Sequence, residues 1–184
     1  MSIIEMIKSF FEVHKDIRDF LKDMAIGLAV VAVVLLALYL YTGAWPPVLS
    51  ITSGSMSPHM EKGDLVLIQG LDRMAIHTFE GQESVNYTMF GEQGDVIVYR
   101  PYGYTNVTPV IHRAIRFVHQ GEPMWTNGPA APWDGYITLG DNNNGIVDQS
   151  SNICLYEPVK SEWVLGTARY RVPYLGYIRA LLPF

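Results

Sequence analysis

The 184-residue chain is 49% hydrophobic and carries a formal net charge of −5, a balance that gives no reason to expect nucleic acid as a partner. Its single cysteine, Cys154, excludes an internal disulfide and reads as a small buried hydrophobe. There is no His/Cys cluster at zinc or calcium spacing, so neither a metal nor any other cofactor is expected.

Residues 1–23 mix Lys8, Lys15, Arg18 and Lys22 with five acidic residues, while Ile3, Ile7, Phe10, Phe11, Ile17, Phe20 and Leu21 recur near helical spacing. An amphipathic helix is predicted, suited to a membrane surface or to a partner's groove. Met24 through Tyr41 contains no charge. That length meets the threshold for crossing a bilayer, and Tyr39, Tyr41 and Trp45 supply an interfacial belt, so a transmembrane helix is predicted over 24–44. The long charged segment ahead of it and the lack of a small-x-small cleavage pattern argue against a removed signal peptide. Four basic residues precede the span and none follows until Lys62. The N-terminus is therefore expected in the cytoplasm, and residues 45–184 on the far side of a cell membrane. The glycosylation sequons at Asn86 and Asn106 suit that side, although Pro109 disfavours the second.

Trp45-Pro46-Pro47 is a stiff connector. Ten residues separate Trp45 from Ser55, a reach of about 33 Å at full extension, which holds Ser55 near the membrane surface. Pro47–Thr52 has the alternation and β-branched content of a strand running into the turn Ser53-Gly54-Ser55-Met56-Ser57-Pro58. Leu65–Ile68, Asp95–Tyr99, Val110–Phe117, Tyr136–Leu139 and Trp163–Arg171 also have β character, with Gly and Pro clusters between them. The fold class is thus mainly β: one N-terminal helix, then an antiparallel, partly closed β domain. Residues 70–93 read as a loop excursion. The tail, Val172–Tyr177 then Ile178–Phe184, is apolar but too short to span, and either dips into the interface or packs on the domain.

Taken alone, Ser53-Gly54-Ser55 is the composition of an ordinary turn. A serine at a strand end can also present its hydroxyl, and Gly54 lets a substrate carbonyl approach the backbone N–H groups, which is what acyl transfer needs. Three further segments follow in order: Gly63-Asp64-Leu65-Val66-Leu67-Ile68, Val110-Ile111-His112-Arg113-Ala114-Ile115, and Leu139-Gly140-Asp141-Asn142-Asn143-Asn144 leading to Asp148. This ordered set, from about Ile51 to Tyr177, resembles the type I signal peptidases, membrane serine proteases that remove signal peptides from exported proteins. A histidine in the third segment, where bacterial members carry lysine, is similar to the archaeal and endoplasmic-reticulum branch.

The resemblance implies Ser55 as nucleophile, His112 as general base and Ser53 as an oxyanion donor. It also implies an extended preprotein segment bound beside Ile51 and Val110, cut after a small residue. Accessory subunits are compatible with it. Of the five histidines, His14 falls on the cytoplasmic side, His59 follows the nucleophile turn, His77 sits in the irregular excursion and His119 at a strand end. Arg113 faces away from His112 by strand alternation and is read as structural, as is Asp64, which leads into a strand. Asp141 and Asp148 both remain candidates for the acid that orients the imidazole. The interval between them is seven residues, one more than the family pattern. Asp141, between Gly140 and three asparagines, suits a loop-shaping carboxylate bonded to nearby N–H groups. Asp148 follows Ile146-Val147, an apolar pair able to aim its side chain inward, and is the expected partner of His112, with Asp141 in support. Two other readings stand beside this one: a membrane serine protease for another precursor class, and a non-catalytic subunit that keeps the peptide groove.

Overall fold

The computed structural model describes residues 3–82 and 87–177, so Asn86 and the tail from Ile178 lie outside the described residues. It divides into a first unit up to Leu40 and a second from Tyr41. The first is almost all of one helix, α1 (Ile3–Thr42), 40 residues and about 60 Å long at 1.5 Å per residue. The two helical stretches expected from the sequence are one continuous element, because no proline interrupts them and their junction consists of ordinary helix formers. Within it, His14–Thr42 is long and apolar enough to cross a membrane, its most apolar 18 residues having a mean hydropathy of 2.6. Phe20, Leu28, Val33, Leu36 and Leu40 are all exposed, so the apolar surface runs around the helix with no protein covering it. Such a helix is matched to hydrocarbon rather than to water. The helix stops at Gly43, whose φ of +66° is the left-handed turn that glycine adopts without strain. The Thr42 carbonyl then accepts the Gly70 N–H at 2.8 Å.

The second unit is built on β1 (Val48–Ser50), β2 (Leu65–Gln69), β3 (Thr88–Met89), β4 (Glu92–Gln93), β5 (Val96–Tyr99), β6 (Val110–Val118), β7 (Gly135–Leu139) and β8 (Val164–Val172). Six strands form one sheet in the order β1-β2-β8-β5-β6-β7, with every neighbouring pair antiparallel. The sheet is open, with β1 and β7 at its edges, and does not close into a barrel.

β5 lies at the centre and is buried along its whole length. Successive side chains point to opposite faces, so Val96 and Val98 enter one core layer and Ile97 and Tyr99 the other. The first layer holds Ile51, Met56, Met60, Val66, Ile68 and Ala168; the second holds Ala114, Cys154, Val159 and Val164. Burial on both faces explains why β5 is uniformly apolar in sequence instead of alternating. Each fully buried aliphatic side chain contributes roughly 1.5–3 kcal/mol.

The 70–93 excursion has more structure than its mixed polarity suggested. It contains 3₁₀ turns at Leu71–Arg73 and Glu80–Gln82 and the β3–β4 hairpin. Phe90 (φ +54°) and Gly91 (φ +86°) turn that hairpin, both positive as a tight two-residue hairpin turn requires. Backbone bonds from Phe79 N–H to the Ala114 carbonyl (2.9 Å) and from Asp95 N–H to the His77 carbonyl (2.7 Å) tie the excursion to the sheet.

Candidate active site

The Ser53–Pro58 turn grows out of β1. Ser50 pairs with Leu65, and the pairing continues one residue further through Ile51 N–H to the Asp64 carbonyl (2.8 Å) and Gly63 N–H to the Ile51 carbonyl (2.9 Å). Asp64 is buried and accepts the backbone N–H groups of Glu61 (2.8 Å) and Tyr174 (3.3 Å), which agrees with its reading as a structural residue. Past Ile51 the chain leaves the sheet and is pinned by Met56 and Met60, both buried in the first core layer. Met60 N–H closes on the Met56 carbonyl at 2.9 Å. Ser55 is thereby held half-buried at the rim. A Cβ added to Gly54 would meet no atom within 4 Å, so the space above the turn is open to a substrate.

β6 brings His112 to this turn. Its side chain is 3% exposed, with Nε2 2.9 Å from Ser55 Oγ and Nδ1 2.7 Å from Asp148 Oδ2. A carboxylate only accepts, so the partners assign the proton to Nδ1 and leave Nε2 to accept from the Ser55 hydroxyl. Gly140 makes room for the ring: a Cβ there would lie 2.8 Å from His112 Nε2 and 2.7 Å from the Ser55 carbonyl. The next residue but one grips the Ser55 turn, with Asn142 N–H donating to the Ser55 carbonyl (2.8 Å) and Asn142 Nδ2 to the Gly54 carbonyl (3.1 Å).

The two aspartates sit in different environments. Asp148 is fully buried and opens a 3₁₀ turn, Asp148–Ser150. Its Oδ2 accepts from His112, from the Tyr99 hydroxyl (2.7 Å) and from the Thr138 hydroxyl (2.6 Å). Only half of the expected apolar pair anchors it: Val147 packs on the small cluster of Val118, Met124, Ala131 and Ile137, whereas Ile146 is 56% exposed. Asp141 pairs elsewhere. Arg113 grips it from Nε (2.9 Å) and Nη2 (2.7 Å), and His59 Nδ1 lies 2.7 Å from its Oδ2. Its partners are these side chains, not the backbone N–H groups the sequence suggested.

Arg113, on the opposite face of β6 from His112, also donates from Nη1 to the carbonyls of Met89 (2.9 Å) and Gly94 (2.8 Å). One guanidinium thus staples the hairpin excursion to the Gly140–Asn144 loop. The other two histidines of the second unit have partners elsewhere: His77 is tilted against Tyr87 at 5.0 Å and His119 pairs with exposed Asp134 at 3.1 Å.

A cleft of about 760 Å³ opens beside Ser55. Ile51 and Val110 line its two walls, one from the strand leading to Ser55 and one from the start of β6, and Ser53 and His112 also face it. Ser53 Oγ lies 3.2 Å from Ser55 Oγ. Tyr99 and Thr138 were not singled out from the sequence, and His59 and Gly140 were noted there only by their position. A buried tyrosine whose hydroxyl needs a partner was the signal available for Tyr99.

No family model matches the chain. Among curated proteins it is 24% identical over 153 residues to signal peptidase complex catalytic subunit sec11 of Aspergillus terreus, covering 79% of this chain and 70% of that protein. It is 28% identical over 142 residues to signal peptidase complex catalytic subunit SEC11 of Saccharomyces cerevisiae (strain YJM789), covering 74% of this chain and 66%, just under two thirds, of that protein. At 24–28% identity, the chain is similar over about three quarters of its length to catalytic subunits of the signal peptidase complex.

Proposed function

We propose that the chain is a membrane-bound serine endopeptidase that removes N-terminal signal peptides from preproteins, with Ser55 as nucleophile, His112 as general base and Asp148 as the orienting acid. The observation that carries this reading is the unbroken hydrogen-bonded series Ser55 Oγ, His112 Nε2, His112 Nδ1, Asp148 Oδ2 beside an apolar cleft.

Ser55 Oγ attacks the scissile carbonyl as its proton passes to His112 Nε2. The imidazolium that forms is stabilised through Nδ1–H by the Asp148 carboxylate. The oxyanion takes hydrogen bonds from the Ser53 hydroxyl and the backbone amides of the Gly54–Ser55 turn. His112 then protonates the leaving amine and activates the water that hydrolyses the acyl-serine. Asp141 serves at a distance, fixing the loop that holds the Ser55 carbonyl.

The substrate is an extended segment laid along the strand leading to Ser55 and the start of β6, with small side chains next to the cut. β1 is an edge strand, which leaves backbone groups for such an addition. The basic residues ahead of the apolar span support a cytoplasmic N-terminus, with the catalytic unit across the membrane. The bilayer and accessory subunits of a signal peptidase complex are the remaining partners, by analogy with the relatives' names.

Incubating the purified chain with one preprotein in liposomes tests the reading. The chain should release the signal peptide at a single position, and Ser55→Ala should release none. Cut positions following large residues would move it to another precursor class. A wild-type chain that binds the preprotein without cutting would make it a groove-bearing binding subunit.

A further inference from the structure

The Asp148 carboxylate is loaded on one side only. Oδ2 accepts three hydrogen bonds, whereas Oδ1 is buried and has no hydrogen-bond partner among the described residues. Two of the three donors come from strands that never touch the cleft. Tyr99 ends β5 and is fully buried, and Thr138 lies in β7, also fully buried. Thr138 is itself held in place, its N–H donating to Gln149 Oε1 (3.0 Å) and its hydroxyl accepting from Gln149 Nε2 (3.4 Å).

Resting on the Ser55–His112–Asp148 reading, we propose that Tyr99 and Thr138 are positioning residues that share the Asp148 oxygen with His112 and thereby set the pH above which the imidazole can act as a base. A donor hydrogen-bonded to a carboxylate disperses its charge. With two hydroxyls on Oδ2, less negative charge is left to hold a proton on the facing imidazole. Without them the same oxygen binds imidazolium more tightly, and the base stays occupied to higher pH.

The other groups facing the pair do not supply this adjustment. Tyr99 stays a neutral donor, since burial and the Asp148 charge push its phenol well above its ordinary range. Cys154, from the loop after the Asp148 turn, is neutral too: burial, with Asp148 and Glu157 nearby, raises its thiol to about 11. Ser55 faces Nε2, and Arg113, Asp141 and His59 form their own cluster on the other face of β6.

The test uses the full chain in detergent with Tyr99→Phe, which keeps the ring in its core layer, and with Thr138→Val and Thr138→Ser. The readouts are the acid limb of kcat/KM on a signal-peptide substrate and the His112 titration by NMR, its signal assigned by loss in His112→Gln. Tyr99→Phe and Thr138→Val should each move the acid-limb midpoint upward by about half a pH unit, with the neutral-pH plateau kept within roughly threefold. Thr138→Ser, which restores the hydroxyl, should return the wild-type profile. A midpoint that stays put or moves down in folded Tyr99→Phe and Thr138→Val overturns the proposal. If one of the two loses its melting transition, the other decides. Cleavage by Ser55→Ala would instead bring down the proposed function, and the NMR titration would still judge the sharing of Asp148.

Discussion

Two of the histidine–aspartate pairs in the second unit, Asp148–His112 and Asp141–His59, lie on opposite sides of β6, and both are 2.7 Å long. Asp148–His112 is buried, its carboxylate facing hydroxyls and an imidazole. Asp141–His59 shares its carboxylate with Arg113, and the His59 side chain is 23% exposed. The distance is the same and the chemistry is not. Asp141 already has a fixed cation, so a proton on His59 adds a charge to a pair that is balanced without it. Asp148 has no such cation among the described residues, so in the proposed mechanism the positive charge formed on His112 during proton transfer is the one its burial calls for. What separates the pair proposed for catalysis from the other is the missing counter-charge, not the bond length.

Outside that buried pair and Ser55 itself, the largest departure expected from a single deletion is at Ser53. Ser53→Ala removes one oxyanion donor and should lower kcat by 10²–10³-fold at unchanged melting temperature, and full activity would remove Ser53 from the mechanism. Gly140→Ala forces a Cβ to 2.8 Å from His112 Nε2. It should displace the imidazole and cost on the order of 10²-fold in kcat, with KM little changed.

The Arg113 pair should respond in stability instead. Arg113→Met strands Asp141 and removes the Nη1 hydrogen bonds to the carbonyls of Met89 and Gly94, and should destabilise the unit by about 3–5 kcal/mol in denaturant unfolding. His59→Ala deletes a partly exposed donor to an already paired carboxylate and should cost about 1 kcal/mol or less. If His59→Ala matched Arg113→Met, the two pairs would be alike after all. The smallest effect concerns Cys154, whose thiol burial raises from 9.0 to about 11. A raised value means that the thiol's contribution to stability is complete below pH 9 and lost as the pH rises through 11. Melting temperature should therefore fall across that window, and less steeply in Cys154→Ala.

Much of this was legible from residues. The strands were found within one or two positions because β-branched runs between Gly and Pro clusters carry their own period. Strand order was not, since antiparallel pairing of β8 between β2 and β5 joins residues 65 to 107 positions apart and leaves no local mark. The β3–β4 hairpin was missed because Phe90 occupies a left-handed position more typical of Asn or Gly. Asp148 was reached by an argument about apolar neighbours that holds for Val147 and fails for Ile146. Arg113 was read correctly as facing away from His112, but alternation alone does not reveal which carboxylate waits on the other side. Tyr99 looked like any strand-end aromatic, because only the folded sheet brings its hydroxyl to a residue 49 positions later.

The central claim, that Asp148 and not Asp141 completes the serine–histidine chain, is tested most directly by kcat/KM and melting temperature of Asp148→Asn and Asp141→Asn measured side by side on one preprotein. Asp148→Asn should favour the wrong imidazole tautomer and lose activity by up to ~10⁴-fold while remaining folded. Asp141→Asn should melt lower and lose less activity per folded molecule. An Asp148→Asn chain that cleaves normally beside a stable but inactive Asp141→Asn would contradict the account.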